Sequence, residues 1–445
     1  MPDWDARVKF SHDPREIPNF CFLFKTLFCP GCHDWGDLPA NGSRHGLNLK
    51  GNRLNATSSP FSAAHTFLQQ QVDAPLLAGV SMVVLKDGAP VDRFCTGLAN
   101  LQTGEALRPD HIHRAFSNTK LMTSMLVLLL ADQGRFALDD PIKTWIPALG
   151  MLRVLKPGAT RLNDTEALQA DITVRHLLSH QAGLSHGVFD PGTLIYNAYH
   201  AAGVRGSDST LEGLMDQLAG LPLIFQPGTA WEYSMATDVL ARLVEIITGQ
   251  SYGAALQTRL LDPLGMVDTG YVLRSDQIAR LCPLYGGDLS NPDKPGLTRL
   301  DNVPWPDAFL KPVARQAGTS GLITTEADMV KLMTQLLPRP GGLLKPATLA
   351  EMMRDQLPPD RCVQFYLTGP TPSLGFGLGG AVTRRTSALQ PNSPVGEFQW
   401  GGLAATHWSF SPATGVAIVL MAQRHMGFWH PFWFKVKREV YAALG

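Results

Sequence analysis

Ser117-Asn118-Thr119-Lys120 leads straight into the apolar run LMTSMLVLLLA, Leu121 to Ala131, so a hydroxyl and an amine stand three residues apart at the mouth of a helix. Residues i and i+3 of a helix share a face, with Cβ atoms about 5–6 Å apart. With the helix starting near Ser117, the hydroxyl sees the positive end of the helix dipole, and the serine N–H is free to meet an oxyanion. An amine held beside it away from water loses hydration, so its pKa falls and it becomes a base near neutral pH. A serine served in this way is a nucleophile for acyl transfer. The same four residues also admit a plain reading. S-x-x-K arises by chance about once or twice in a chain of this composition and length, and a lysine at a helix end can snorkel to water. The choice falls to residues elsewhere in the chain.

Two stretches supply them. In PGTAWEYSMATDVLARLVEIITG, Tyr233-Ser234-Met235 follows the Pro227-Gly228 turn and precedes an amphipathic pattern. A phenol at such a loop-to-helix junction can exchange a proton with Ser117. In FQWGGLAATHWSF, Trp400-Gly401-Gly402 ends a strand pattern. Paired glycines inside a strand mark close approach of a ligand or of another backbone, and the N–H of the next residue, Leu403, would be a second oxyanion donor. Each stretch has its bland counterpart: a core tyrosine in one case, a β-bulge in the other.

Taken in order, Ser117-x-x-Lys120, TVRHLLSHQAGL, Tyr233-Ser234-Met235 and Trp400-Gly401-Gly402 resemble the serine β-lactamase and penicillin-binding protein superfamily. Within it the chain is most similar to the family VIII carboxylesterases, which look like class C β-lactamases, over roughly residues 60 to 440. The resemblance implies Ser117 as the acylated nucleophile, Lys120 as its activating neighbour and Tyr233 as general base and acid. The N–H groups of Ser117 and Leu403 form the implied oxyanion hole, and Trp400, Gly401, Gly402 and Met235 the implied substrate wall. Two departures bear on substrate. Where the β-lactamases carry Tyr-x-Asn this chain has Met235, and where they carry Lys-Thr-Gly it has Trp400. A lysine there grips the carboxylate of a β-lactam, a contact worth about 1.5–3 kcal/mol for a hydrogen bond to a charged group. Tryptophan offers no charge, so the expected substrate is an uncharged small-molecule ester.

Other patterns compete. GLSHG, Gly183 to Gly187, matches the G-x-S-x-G elbow of α/β-hydrolases, which needs a strand before it and a helix after it. The preceding ITVRHLLSHQA has helical spacing and VFDPGTL follows with a Pro-Gly break, so Ser185 reads as a loop serine. CPGCH at 29–33 fits haem attachment or half a zinc site, but a second cysteine pair at zinc spacing is missing. His176 and His180 stand at i, i+4 without the glutamate of H-E-x-x-H, and His111 and His113 alternate as strand neighbours. Both pairs read as structural, and neither a metal nor a cofactor is expected.

The elements that must bring these residues together follow from periodicity. SAAHTFLQQQV reads as a helix, and AGVSMVVLKDGAPVDRFCTGLAN as a hairpin turning at Lys86-Asp87-Gly88-Ala89. The middle of the chain is helical and rich in loops: DITVRHLLSHQAGL, TLEGLMDQLAG, MATDVLARLVEIITG, YGAALQTRLLDPLG, TEADMVKLMTQLL and PATLAEMMRDQL. Strands return in RCVQFYLTG, LGFGLGGAV, GEFQWGG, AATHWSFSP and GVAIVLMAQ, before a closing helix in PFWFKVKREVYAAL. The expected fold is mixed α and β, of β-lactamase/transpeptidase type. In it an antiparallel sheet drawn from both ends is flanked by helices, with a mostly helical domain inserted. The boundaries follow as an irregular N-terminal arm over 1–58, a sheet-containing domain from 59–140 and 311–445, and a helical domain over 141–310.

Composition excludes other classes. Lys+Arg and Asp+Glu are both 38, which gives no basic surplus for nucleic acid or an anionic membrane. No apolar run reaches the 18 or so residues that span a bilayer. Six scattered cysteines in 445 residues suit reduced thiols, and NFCFLFKTLFCPGC is interrupted by Lys25 with no A-x-A-like site after it, so a cytoplasmic location is expected. The functional expectation is ester hydrolysis through an acyl-enzyme. The alternatives are a β-lactamase or D-amino-acid peptidase on the same machinery, an acyltransferase, and, outside enzymes, a ligand sensor with an inactive site.

Overall fold

The structure, a computed structural model, describes residues 59–445 except 301, 306, 367 and 389. The arm over 1–58 and its CPGCH motif lie outside the described residues. Helix α1 (Ser62–Asp73) leads into a hairpin of β1 (Gly79–Lys86) and β2 (Ala89–Asn100). Its turn places Asp87 at φ 51° and Gly88 at φ 81°, the two positive angles that a tight hairpin requires to match strand twist. The short β3 (Glu105–Ala106) follows, then helix α2 (Thr119–Asp132). Helices α3 (Val174–Leu178), α4 (Leu194–Ala201), α5 (Leu211–Ala219), α6 (Ala236–Thr248) and α7 (Glu326–Met333) fill the middle of the chain. Five strands, β4 (Leu374–Phe376), β5 (Ala381–Thr383), β6 (Phe398–Gly402), β7 (Thr406–Ser411) and β8 (Val416–Ala422), precede the last helix, α8 (Phe432–Ala443).

The eight strands form one antiparallel sheet in the order β4-β5-β6-β7-β8-β1-β2-β3. The two ends of the chain meet at the β8–β1 seam, where Val83 opposes Val419. Side chains alternate across a strand, and the sequence uses both faces. Val80, Met82, Val84, Ile418 and Leu420 bury against α1 and α8, whereas Val83, Leu85, Val419 and Met421 face the larger core with α2 and α6. A sheet covered on both sides has nearly continuous apolar strands, and GVSMVVLK and VAIVLMA are of that kind.

Helix α2 is buried on every side, with eleven of its fourteen residues inside, Lys120 among them. A helix that is apolar all round belongs in a core rather than on a surface. The lysine is therefore carried inward instead of snorkelling. Helix α6 packs across α2, and α3 packs on α6; that is how the Tyr233 segment reaches the serine turn.

Some elements differ from expectation. RCVQFYLTG does not join the sheet: Val363–Phe365 pairs only with Gly369–Thr371 in a separate ribbon. LGFGLGGAV is two strands, not one, because Gly377 N–H bonds the Gly380 carbonyl and Gly379 turns at φ 109° against α2, where a Cβ would lie 2.3 Å from Ser124 Oγ. DITVRHLLSHQAGL shrinks to the five residues of α3, ended by His180 at φ 58°. Helix α4 was hidden behind Pro191-Gly192; Thr193 caps it through the Tyr196 N–H at 3.2 Å. No helix among the described residues is long and apolar enough to cross a membrane.

Candidate active site

Ser117 lies in a single 3-10 turn, Phe116–Asn118, immediately before α2. Phe116 takes φ 44°, the left-handed region that a bulky residue avoids at a cost of about 1–2 kcal/mol. The turn is held from both sides. The Ala115 N–H donates to the Leu322 carbonyl at 2.9 Å, and the Ala115 carbonyl accepts from the Asn118 N–H at 3.1 Å and the Thr406 hydroxyl at 3.4 Å. Strand β6 closes over it. A Cβ on Gly402 would sit 2.3 Å from the Ala115 oxygen and 2.4 Å from Thr406 Oγ1, and one on Gly401 2.5 Å from His407 Nδ1. Gly402 thus answers to another backbone, that of the serine turn, and Gly401 to the neighbouring strand β7. Gly402→Ala should push the turn away and lower kcat/KM by about 100-fold, the cost of misplacing a reacting group by roughly 1 Å. An ester assay beside a thermal melt checks that activity falls far more than stability.

Lys120 is 2 % exposed. Its ammonium donates to Ser117 Oγ at 3.4 Å and to the Thr319 carbonyl at 3.0 Å, and lies 4.4 Å from the centre of the Tyr233 ring. Burial pulls its pKa down to about 7, with Asp238 opposing the fall and Arg205 adding to it. Tyr233 is buried too, and burial pushes its phenol up. The Ser117 hydroxyl and the Trp400 indole, whose N–H reaches the phenol oxygen at 3.3 Å, pull it back down. Hydroxyl, amine and phenol therefore share one small space.

Ser117 and Tyr233 open onto a cavity of about 20 Å³, bounded further by Trp400, Gly401, Leu403 and the rings of Phe189, Phe365, Phe428 and Trp429, with Lys120 behind the serine and the phenol. It has room for about one water molecule. Ser117 and Leu403 both border it, and among the described residues neither donates its N–H in a backbone hydrogen bond. Two free N–H groups beside a serine oxygen can receive the oxygen of a tetrahedral intermediate.

The remaining expected residues fall elsewhere. Gly402 meets the serine turn rather than the cavity. Met235 is buried outside the cavity lining; its N–H bonds the Ser185 carbonyl at 3.0 Å, and its sulfur faces Arg205 at 3.7 Å. Ser185 is fully buried in a loop after α3, without a strand before it. Its hydroxyl donates to Asp190 at 2.9 Å and accepts from the Gly187 N–H at 3.0 Å. His176 completes a capping box with Thr173. His113 bonds the His111 carbonyl at 3.1 Å, and His111 bonds Glu105 at 3.1 Å.

His180 is more than a satisfied core residue. Its ring bonds the Ser234 hydroxyl at 3.0 Å, its carbonyl accepts from the Glu232 N–H at 3.0 Å, and its ring centre is 4.9 Å from that of Tyr233. Both neighbours of Tyr233 are thus tied to one histidine, and the LLSHQ block serves to seat the phenol. On the Trp400 side the seat is aromatic, and His186 stacks on the tyrosine ring at 5.4 Å. The periodicity of the sequence carries no sign of this clustering, since Phe189 comes from a loop, Phe365 from the small separate ribbon and Phe428 from a single 3-10 turn, with no regular spacing among them.

Comparison with known proteins agrees with this fold. Residues 65–429 match the protein family described as Beta-lactamase. The chain is 30 % identical to Esterase EstB of Burkholderia gladioli over 381 residues, 82 % of this chain and 91 % of the esterase. It is 31 % identical to the Lovastatin esterase of Penicillium rubens over 310 residues, covering 65 % of this chain and 74 % of that one. Among solved structures, EstCE1, described as a hydrolase with promiscuous acyltransferase activity, superposes with a TM-score of 0.72 at 24 % identity, over 86 % of this chain and 98 % of that one. With residues 65–429 matched by the family and a serine-lysine-tyrosine cluster beside strand β6 of its antiparallel sheet, this protein belongs to the Beta-lactamase family.

Proposed function

We propose that the chain is a serine carboxylesterase, with Ser117 as nucleophile, Lys120 and Tyr233 as the groups that move its proton, and the N–H groups of Ser117 and Leu403 as the oxyanion hole. The observation that carries this reading is the meeting of the Ser117–Lys120 pair with a phenol from a distant part of the chain: Ser117 and Tyr233 border one cavity, and the Lys120 ammonium lies against both. The relatives named as esterases support the choice of ester over lactam. In the reaction, Ser117 Oγ attacks the ester carbonyl while its proton passes to the amine–phenol pair, the carbonyl oxygen turns to the two N–H groups, and the alcohol leaves with the proton. Water then attacks the acyl-enzyme by the reverse route and releases the acid. The substrate side is Trp400, Gly401 and the aromatic rings around them, an uncharged wall that suits a neutral ester. A p-nitrophenyl ester series run beside nitrocefin tests the choice: hydrolysis of the esters with little lactam turnover is expected, and a clear lactam preference would overturn it.

The lysine also predicts a pH dependence. With its pKa drawn down to about 7 by burial, the amine is a free base above that value and a protonated, inert one below it. The kcat/KM for p-nitrophenyl acetate should therefore rise through a midpoint near 7 and level off above it. A profile from about pH 5 to about pH 9 reads this directly, and a flat profile would exclude Lys120 as the base.

A second reading uses the same acyl-enzyme. The cavity is small and ringed by aromatics, so an alcohol that attacks the acyl-enzyme in place of water would yield a new ester; product analysis with added alcohol measures that share. On this proposal the cleft lies between the sheet-containing part, 59–140 with 311–445, and the helical part, 141–310. The cytoplasmic placement rests on thiol usage, with Cys95, Cys282 and Cys362 free among the described residues.

A further inference from the structure

Asp238 is fully buried in the first turn of α6, and the cations near it, Lys120 and Arg315, act on it through space rather than by a hydrogen bond. A carboxylate in such a place requires donors, and all of them come from one residue. The Thr319 N–H reaches Oδ1 at 2.9 Å, and the Thr319 hydroxyl lies 3.0 Å from Oδ1 and 2.9 Å from Oδ2. The Thr319 carbonyl in turn accepts from Lys120 Nζ at 3.0 Å. One peptide therefore turns its donors to the carboxylate and its acceptor to the amine. Its neighbours are pinned as well: the Thr123 hydroxyl donates to the Gly318 carbonyl at 2.8 Å, and the Tyr271 phenol to the Ala317 carbonyl at 2.6 Å. Gly318 has no space for a side chain, since a Cβ would lie 2.4 Å from the Thr237 oxygen.

We propose that Asp238 is a positioning residue for Lys120, acting through Thr319: it fixes the carbonyl that holds the amine beside Ser117 and supplies the negative charge that favours the ammonium form. The inference rests on the reading of Lys120 as the base. Of the titratable groups around the amine, His180 and His186 are held well below the ordinary histidine range by burial, so they stay neutral near pH 7. Tyr233 is pushed up by burial and is neutral as well. The charges left are Asp238 from α6, Arg205 from the stretch after α4, and Arg315, which faces Asp238 together with the neutral phenols of Tyr252 and Tyr271. Asp238 is the one acidic group in this set: burial pushes its own carboxyl up, the Thr319 N–H and hydroxyl and the charges of Lys120 and Arg315 pull it back down, and as a carboxylate it opposes the fall that burial imposes on Lys120.

Asp238→Asn keeps the shape and an acceptor for the Thr319 N–H but removes the charge. The acid limb of the kcat/KM profile should then move down by about one pH unit, the usual effect of a nearby opposite charge, and fluorophosphonate labelling of the serine should persist. Thr319→Val, which leaves the peptide in place and takes one donor from the carboxylate, should move the limb the same way by a smaller amount; it provides the measurement should Asp238→Asn fail to fold. A role in stability alone would lower the melting temperature and leave the limb where it is. Loss of hydrolysis in Lys120→Ala, with the limb unmoved or raised in the two variants, overturns the role of Asp238 while leaving the lysine as base. Full hydrolysis in Lys120→Ala overturns the base reading and this inference together.

Discussion

Ser117→Ala should lose ester hydrolysis by at least about 10⁴-fold in kcat/KM, the scale on which a covalent nucleophile fails, and should no longer take up a fluorophosphonate. The change is small in structural terms, because the hydroxyl is the only group removed and the turn around it is held by backbone contacts of Ala115. Ser185→Ala is the control that separates this site from the G-x-S-x-G elbow. It strips Asp190 of a buried donor, so stability should drop by about 1–3 kcal/mol while hydrolysis and labelling persist. Intact-protein mass spectrometry after fluorophosphonate, followed by sequencing of the modified peptide, reads both variants. Label on Ser185 in the native chain would refute the assignment.

The second large effect is expected at the phenol. Tyr233→Phe should reduce kcat by about 10²–10⁴-fold, the range for loss of a general acid or base, with KM changed far less. Phenylalanine retains the ring that stacks with His186, contacts Trp400 and lies beneath the Lys120 ammonium, so packing stays and the oxygen alone is lost. Acylation and deacylation each require the proton to travel, and both should slow. Pre-steady-state release of p-nitrophenol separates the two steps. A kcat within about fivefold of the native enzyme would remove Tyr233 from the reaction and leave Lys120 to act alone.

Much of this protein is legible along the chain because the relevant signals are local. The Lys86–Ala89 hairpin turn, the continuous apolar runs of β1 and β8 and the period of α6 all arise from residues within a few positions of each other. Helix α2 is the plainest case. Its apolar surface on every side calls for burial, and the i, i+3 interval sets Lys120 near Ser117, although the same residues left open a lysine that snorkels to water; the structure carries it inward. The failures were also local in cause. α4 is masked by a Pro-Gly turn, and α3 is cut short by a backbone reversal at His180 that no pattern of hydrophobicity records.

The residue types and intervals alone pointed to a hydroxyl and an amine close together at a helix start, and to a sheet assembled from both ends of the chain. Only the tertiary structure decided what surrounds them: the carbonyl of Thr319, the carboxylate of Asp238, the clamp of His180 on the Tyr233 segment, and the use of Gly402 to admit the serine turn. The difference is physical. A helix face is set by a repeat of about 3.6 residues, whereas a carbonyl some two hundred positions from its lysine is aimed by loop packing and burial, and both are properties of the folded whole.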